Sequence, residues 1–445
     1  MLDILKSSGV VGAGGAGFPT YAKLTQDAEY ILLNAAECEP LIRVDQQLLA
    51  IYPSEVLTGL DTARKFINAK KAIIGIKAKH AQVIEIINKT IDALGLVDVM
   101  EVKPMADIYP AGDEQVMVYE LTGRVVPETS IPIAVGCVVT NVETMLNLYN
   151  AVNNGMPVTE TYITLTGDIA NPITFKAPVG TPVAEILKLG GIEDFAEYSI
   201  IDGGPMMGPL LEDVLDDVAG YATKKSKAFI VLKNDSHLIR KKKVTFEQAR
   251  RVNRGTCEQC RMCTDLCPRY LLGHNSTPHK TMRLLSYNLN DEEGKKATQL
   301  CCLCGLCEYF SCPVGLYPKT ANAHFKDMIW RENLRYQPVS TEFEARNNRE
   351  YRMLPSKRLI QRLGLSPYDV DAPMSDIQIS PSRVRILVRQ HVGAPASPVV
   401  GLQERVHKGQ LIGDIADDAL GAAIHASIDG VVTEITKDYI EITAV

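Results

Sequence analysis

Apolar positions in the first third of the chain gather into short continuous runs separated by longer amphipathic stretches. Tyr30 to Ala36 is one run, Lys71 to Lys77 a second, and Val97 to Val102 reads as a third. Runs of this length and composition predict strands buried on both faces. Between them, a helical stretch broken at Pro53 and another from Ala81 to Ala93 supply the crossovers. Leu2 to Ser8 predicts a short opening helix, and Thr140-Asn141-Val142-Glu143-Thr144 predicts the start of a later one. This β–α alternation predicts a doubly wound, Rossmann-like sheet.

The pattern then changes. Tyr162 to Gly167, continuing through Phe175, predicts a β-hairpin; Val183 to Leu189 predicts a helix, followed by the glycine-rich Ile201 to Gly208. Met206 and Met207 there are expected in the core. Ala323 to Asn333 predicts a helix, and Gln337 to Asn348 and Asp371 to Ser382 read as polar linkers. From Val384 to Val445 the chain alternates and is rich in turns. Four domains follow: 1–155, 158–235, 244–335 and 380–445.

With 445 residues and a formal charge of −6, the chain is a multidomain globular protein that does not suit nucleic acid as a partner. The N-terminus lacks the apolar segment of a signal peptide, and no run of eighteen apolar residues predicts a membrane span. The one basic concentration, Arg240 to Lys243 with Arg250 and Arg251, predicts a solvated face, or else a dock for an acidic electron partner.

Eight of the eleven cysteines fall in two runs. Cys257, Cys260, Cys263 and Cys267-Pro268 form the first; Cys301, Cys304, Cys307 and Cys312-Pro313 form the second. This is the bacterial-ferredoxin spacing for two [4Fe–4S] clusters, in which the fourth cysteine of each run serves the other cluster. Cys257, Cys260, Cys263 and Cys312 are therefore expected on one cluster, and Cys301, Cys304, Cys307 and Cys267 on the other. Structural zinc, the competing reading, pairs CxxC units across a longer gap and needs neither a third cysteine nor Cys-Pro. Cys302 is out of register and reads as a spectator. Clustered thiols with metal spacing imply a reducing compartment, hence the cytoplasm. His274 and His279 are expected at caps or on the surface.

Gly12, Gly14 and Gly17 spell G-x-G-x-x-G, yet a helix rather than a strand precedes them, so the dinucleotide fingerprint is incomplete. Small residues at this density still leave backbone N–H groups bare for a phosphate or a flat ring. A ligand-free tight turn is the alternative. Glu37 and Glu39 follow the Tyr30 run, where ligands bind in an open α/β sheet, though both can equally be solvated loop acids.

Together, Gly12 to Pro19, Asn34-x-x-Glu37-x-Glu39-Pro40, Gly112-Asp113-Glu114 and Asn141-Val142-Glu143-Thr144 resemble the flavin- and NADH-binding subunit of respiratory complex I and the RnfC component of Rnf complexes. The order of all the pieces most resembles the cobalamin reductases of propanediol-utilisation microcompartments. The resemblance implies FMN held by Gly12, Gly14, Gly15, Ala16, Gly17, Phe18, Lys23, Asn34, Glu37, Tyr109, Gly112, Asp113, Glu114 and Asn141, with Glu39 toward NADH. Ala13 and Ala36 depart from complex I, which has an arginine and an acid there, and Asp113 stands in place of a glutamate. The middle segment resembles a β-grasp SLBB domain. The C-terminal one resembles a biotinyl/lipoyl barrel-sandwich hybrid without the carrier lysine, since Lys408 sits in another turn.

The resemblance thus implies a multidomain α/β oxidoreductase with FMN and two [4Fe–4S] clusters. NADH is its donor and cobalamin its acceptor. No side chain acts as a general acid or base, because the cofactors carry the chemistry. It also implies a microcompartment location, with cobalamin adenosyltransferase and shell proteins as partners. An electron-transfer protein feeding another reductase, or a cobalamin sensor built on the SLBB domain, are the alternatives. NADH is expected to be preferred over NADPH.

Overall fold

The computed structural model describes residues 1–287 and 289–445. Strands β1 (Tyr30–Ala35), β2 (Lys71–Lys77), β3 (Met100–Met105) and β4 (Cys137–Asn141) form a parallel sheet in the order β3-β2-β1-β4. Side chains alternate across it: Ile31 and Leu33 pack in one apolar layer, Leu32 in the other. The helical stretch breaks where expected, into Val44–Ile51 and Pro53–Phe66, with Pro53 at the first helical position. The third strand starts three residues later than its apolar pattern suggests. The turn closing helix Ala81–Ala93 runs on, with Leu96 N–H bonded to Ile91 O and Met100 N–H to Leu96 O, and this leaves Val97 60% exposed.

A second sheet contains β5 (Glu160–Gly167), β6 (Ile173–Pro178), β7 (Tyr198–Asp202), β8 (Leu210–Leu211) and β9 (Ala228–Lys233), ordered β6-β5-β9-β7-β8. Helix Val183–Leu189 covers one face through Val183, Ile186 and Leu187. The cysteine-bearing segment is helical, and its main helices, Phe246–Thr256, Pro278–Tyr287 and Pro318–Arg331, pack on one another. The last of these begins five residues before Ala323, at Pro318. Two small antiparallel sheets between Arg383 and Ala444 make the C-terminal sandwich.

Two stretches carry more structure than their polarity predicts. Ala372, in the expected linker, is buried, and its carbonyl accepts from Thr174 Oγ1 (2.8 Å) and Gln47 Nε2 (2.6 Å). Leu354–Pro355, beyond the first linker, pairs with Ile108–Tyr109, so the chain returns to the first domain after the cysteine segment. Long-range partners decide both cases, and local composition carries no trace of them.

Candidate functional site

The glycine loop is a closed hairpin. Gly12 N–H donates to Phe18 O (2.8 Å) and Gly17 N–H to Gly12 O (3.1 Å). Ala13 N–H donates to Thr144 Oγ1 (2.9 Å), which moors the loop to the helix after β4. Among the described residues, the N–H groups of Gly14, Gly15 and Ala16 have no partner. Gly15 has φ of +101°, and a Cβ there would meet nothing within 4 Å. Bare donors facing open space make an anion cradle. Gly15→Val would strain the backbone by about 1–3 kcal/mol and fill that space. The variant is expected to be isolated without its yellow flavin absorbance but with normal iron content.

The sheet order reverses direction between β1 and β4, and ligands of open α/β sheets bind at that switch point. Asn34 and Asn141 face each other there in register. Asn34 Nδ2 donates to Gly112 O (2.9 Å), and Asn141 caps the helix Val142–Asn154 by accepting from Glu143 N–H (3.1 Å). Gly112 is needed for this approach, since a Cβ would lie 3.1 Å from Cys38 Sγ. Lys23 Nζ reaches Glu114 Oε1 (2.7 Å) and Val139 O (3.3 Å). The loop, Asn34, Gly112–Glu114, Lys23 and Asn141 therefore form one patch.

Behind it lies an acid cluster that the motifs did not announce. Asp45 accepts from Asn141 Nδ2 (2.9 Å), its N–H approaches Glu37 Oε2 (3.4 Å), and its Oδ1 is buried without a partner. Glu143 pairs with the buried Lys227 of the second sheet. Burial, followed by the charge of Asp45, raises the Glu37 carboxyl well above its ordinary 4.5. A carboxyl raised on folding binds more protons in the folded chain, so its contribution to stability is full below 4.5 and falls as pH climbs through the raised value. Relative to Glu37→Gln, the wild-type thermal midpoint should therefore fall across that range, read by calorimetry at stepped pH. Lys225, also missed from sequence, lies against Gly17, where a Cβ would crowd its side chain.

Glu39, expected toward NADH, bonds a loop of the second sheet. Its carboxylate accepts from Met206 N–H (2.9 Å) and Met207 N–H (3.1 Å), with the Tyr109 hydroxyl 3.4 Å away. A Cβ at Gly204 would overlap it. Glu39 thus fastens the 203–208 loop of the second sheet to the first domain. Met206 is buried as expected, whereas Met207 is 53% exposed.

Cys257, Cys260, Cys263 and Cys312 line one recess. In the second run, burial raises the thiols of Cys301 and Cys307, and a hydrogen bond with Cys302 raises that of Cys304. The charge of Cys267, which lies near this run, adds to all three. Burial and the neighbouring sulfurs push Cys263 up to about 12. Sulfurs this crowded become thiolates only against a compensating cationic centre. Four cysteines around one recess suit a four-iron cube. Cys302 lies close to Cys304 and beside Arg269. His274 and His279 are both buried, contrary to expectation, bonded to Val126 O (2.9 Å) and Thr264 Oγ1 (2.7 Å).

Two contacts join the patch to the cysteines. Tyr109 hydroxyl donates to Cys304 O (2.6 Å), and Arg269, directly after Cys267-Pro268, bonds Asp113 Oδ2 (2.8 Å). Asp113 also caps helix Glu114–Thr122. Arg269 Nε and Nη1 are buried outside its bond to Asp113, and the guanidinium lies against Cys302 with Cys267 nearby. Buried donors beside cluster-type cysteines fit a sulfide-rich group.

Comparison with known proteins agrees with this arrangement. Family models match in four places: a Nuo51 FMN-binding domain at 5–150, an SLBB domain at 162–210, a 4Fe-4S dicluster domain at 256–317, and an RnfC barrel sandwich hybrid domain at 369–444. The cobalamin reductase PduS of Citrobacter freundii is 39% identical over 440 residues, covering 98% of this chain and 95% of that protein. The chain belongs to the PduS cobalamin reductase family. A second PduS, from Salmonella typhimurium strain LT2, is also 39% identical, over 98% of this chain and 95% of its own. The C component of the Na(+)-translocating ferredoxin:NAD(+) oxidoreductase complex of Acetobacterium woodii is 32% identical over 60% of this chain and 57% of its own. The PduS likeness therefore takes in the C-terminal sandwich. That sandwich braces the glycine loop, because Val392 N–H donates to Gly17 O (3.0 Å). The basic concentration divides: Arg240, Lys243, Arg250 and Arg251 are exposed, as a solvated face would be, whereas Lys241 and Lys242 are half-buried and donate to Gly315 O (2.9 Å) and Gly208 O (2.6 Å). Among the described residues, no helix is long and apolar enough to cross a membrane.

Proposed function

We propose that this PduS-family chain is an NADH-dependent flavo-iron–sulfur reductase whose acceptor is cobalamin. Each NADH, oxidised to NAD⁺ with release of one proton, reduces two cob(III)alamins to cob(II)alamin. When bound, FMN and two [4Fe–4S] clusters supply the conversion of a two-electron donor into single electrons. The loop donors of Gly14, Gly15 and Ala16, with Asn34, Gly112, Asp113 and Asn141, hold the flavin. Cys257, Cys260, Cys263 and Cys312 hold one cluster; Cys301, Cys304, Cys307 and Cys267 hold the other.

The observation that carries this reading is the direct bond from Tyr109 to Cys304 O (2.6 Å), seconded by Asp113–Arg269 (2.8 Å). Flavin-side residues touch the cysteine loop with no element between them, so the chain's own residues fix the spacing of donor and acceptor groups. The sandwich, with Lys408 away from the carrier position, supports a bracing role. By resemblance we also place the protein in a bacterial microcompartment with cobalamin adenosyltransferase and shell proteins.

Anaerobic titration of the holoprotein with NADH, with and without hydroxocobalamin, tests the proposal. Flavin bleaching that reverses as cob(II)alamin absorbance grows, two cobalamins per NADH, is the expected result. Bleaching that persists beside unreduced cobalamin would reject it in favour of a relay protein.

A further inference from the structure

A cleft of about 1000 Å³ opens between the second sheet and the second cysteine run, bordered by Met207, whose N–H donates to Glu39. One wall is apolar, built by Ile200, Leu210 and Leu211 of β7 and β8. Tyr309, two residues past Cys307, forms part of the lining; its ring packs so tightly on the Gly305 turn that a Cβ there would lie 2.8 Å from it. Lys242 and Lys319 stand over this ring, their ammonium groups 5.6 and 5.4 Å from its centroid. Each donates to the 206–208 loop, Lys242 to Gly208 O (2.6 Å) and Lys319 to Met206 O (2.8 Å). An ammonium has three donors, so both keep capacity for a ligand. Glu212 and Asp213 also line the cleft.

The size is at the upper end of small-molecule sites, roughly 300–1,000 Å³. Held cations suit a phosphodiester, carboxylates suit amide N–H groups, and an apolar wall suits a macrocycle face. Met207, 53% exposed, borders it. The loop that carries Met206 joins both sites: its N–H binds Glu39 beside the flavin patch, and its carbonyl binds Lys319 in the cleft.

We infer that this cleft is the cobalamin site, with the corrin on the apolar wall, the phosphodiester and amide edge on the lysines, and Tyr309 between ligand and cysteine loop. The inference rests on the acceptor proposed above. It is tested by equilibrium dialysis of hydroxocobalamin against oxidised holoprotein without NADH. Two variants are compared with wild type: Met207→Trp, which fills the cleft from an exposed position, and Lys319→Gln, which removes a cation. Each should weaken binding at least about tenfold, one hydrogen bond to a charged group being worth about 1.5–3 kcal/mol. Flavin bleaching by NADH and the EPR signals of both clusters should stay as in wild type, which shows that the fold is intact. Unchanged affinity in both variants overturns the cleft assignment alone. A wild type that binds no hydroxocobalamin overturns the acceptor with it.

Discussion

Cys267→Ala should destroy the cluster of the other cysteine run. Cys267 belongs by sequence to the first run but is assigned to the second cluster by the ferredoxin pattern, and Cys312 of the second run joins Cys257, Cys260 and Cys263 around the other recess. Removing one of four thiolates leaves an iron open to solvent and oxidation. Bound iron and sulfide should fall to roughly half, since each run nucleates one four-iron cluster. The lost EPR signal should be the one that Cys304→Ala also removes. NADH should still bleach the flavin, because the glycine loop shares no residue with the cysteines, and cobalamin reduction should drop to background. If the missing signal instead matches that of Cys260→Ala, the crossed ligand assignment is wrong.

Arg269→Met should have the next largest effect, and on a potential as well as on stability. Arg269 is 9% exposed, bonded on one side to Asp113 (2.8 Å) and lying on the other against Cys302, with Cys267 nearby. A buried cation favours the reduced, more negative cluster, so its removal should lower the midpoint potential. For a one-electron couple, about 59 mV corresponds to a tenfold change in equilibrium, about 1.4 kcal/mol, the scale of one charged hydrogen bond. EPR-monitored redox titration should show a negative shift on the order of 60 mV in the cluster bound by Cys267, with the other cluster unmoved. Breaking a buried pair also costs about 3–5 kcal/mol, so the melting midpoint should fall. Arg269→Lys should recover most of the potential, because it keeps the charge, but less of the stability, because it loses the planar fork. Equal shifts in both clusters would show a general loosening of the fold rather than a local charge effect.

The sequence was legible wherever its signal is local. The cysteine runs specify cluster chemistry because a cubane needs closely spaced thiolates, and the structure gathers Cys257, Cys260, Cys263 and Cys312 around one recess. Strands β1 and β2, β3 with a shifted start, and the helices between them follow from apolar runs and from Pro53, since a doubly wound sheet buries both faces of its strands; β4 was not legible. The glycine loop was legible as bare backbone, although only by resemblance as a flavin cradle.

What the sequence could not supply is which distant residues meet. Nothing local says that Glu39 caps the Met206 loop, or that Arg269 joins Asp113. The basic run Arg240 to Lys243 reads as a solvated face by composition, yet Lys242 stands over Tyr309 in a cleft because the second sheet packs there. The same holds for the acid cluster of Glu37, Asp45 and Glu143, whose close cation, Lys227, comes from another domain. Spacing therefore determined the iron–sulfur chemistry and periodicity the first sheet, because those depend on chemistry within a few residues, while the flavin and the later domains were read by resemblance. Tertiary structure alone decided the electrostatics and the contacts between sites, because the free energy of a buried charge is set by partners that chain folding, not neighbourhood in sequence, brings within reach.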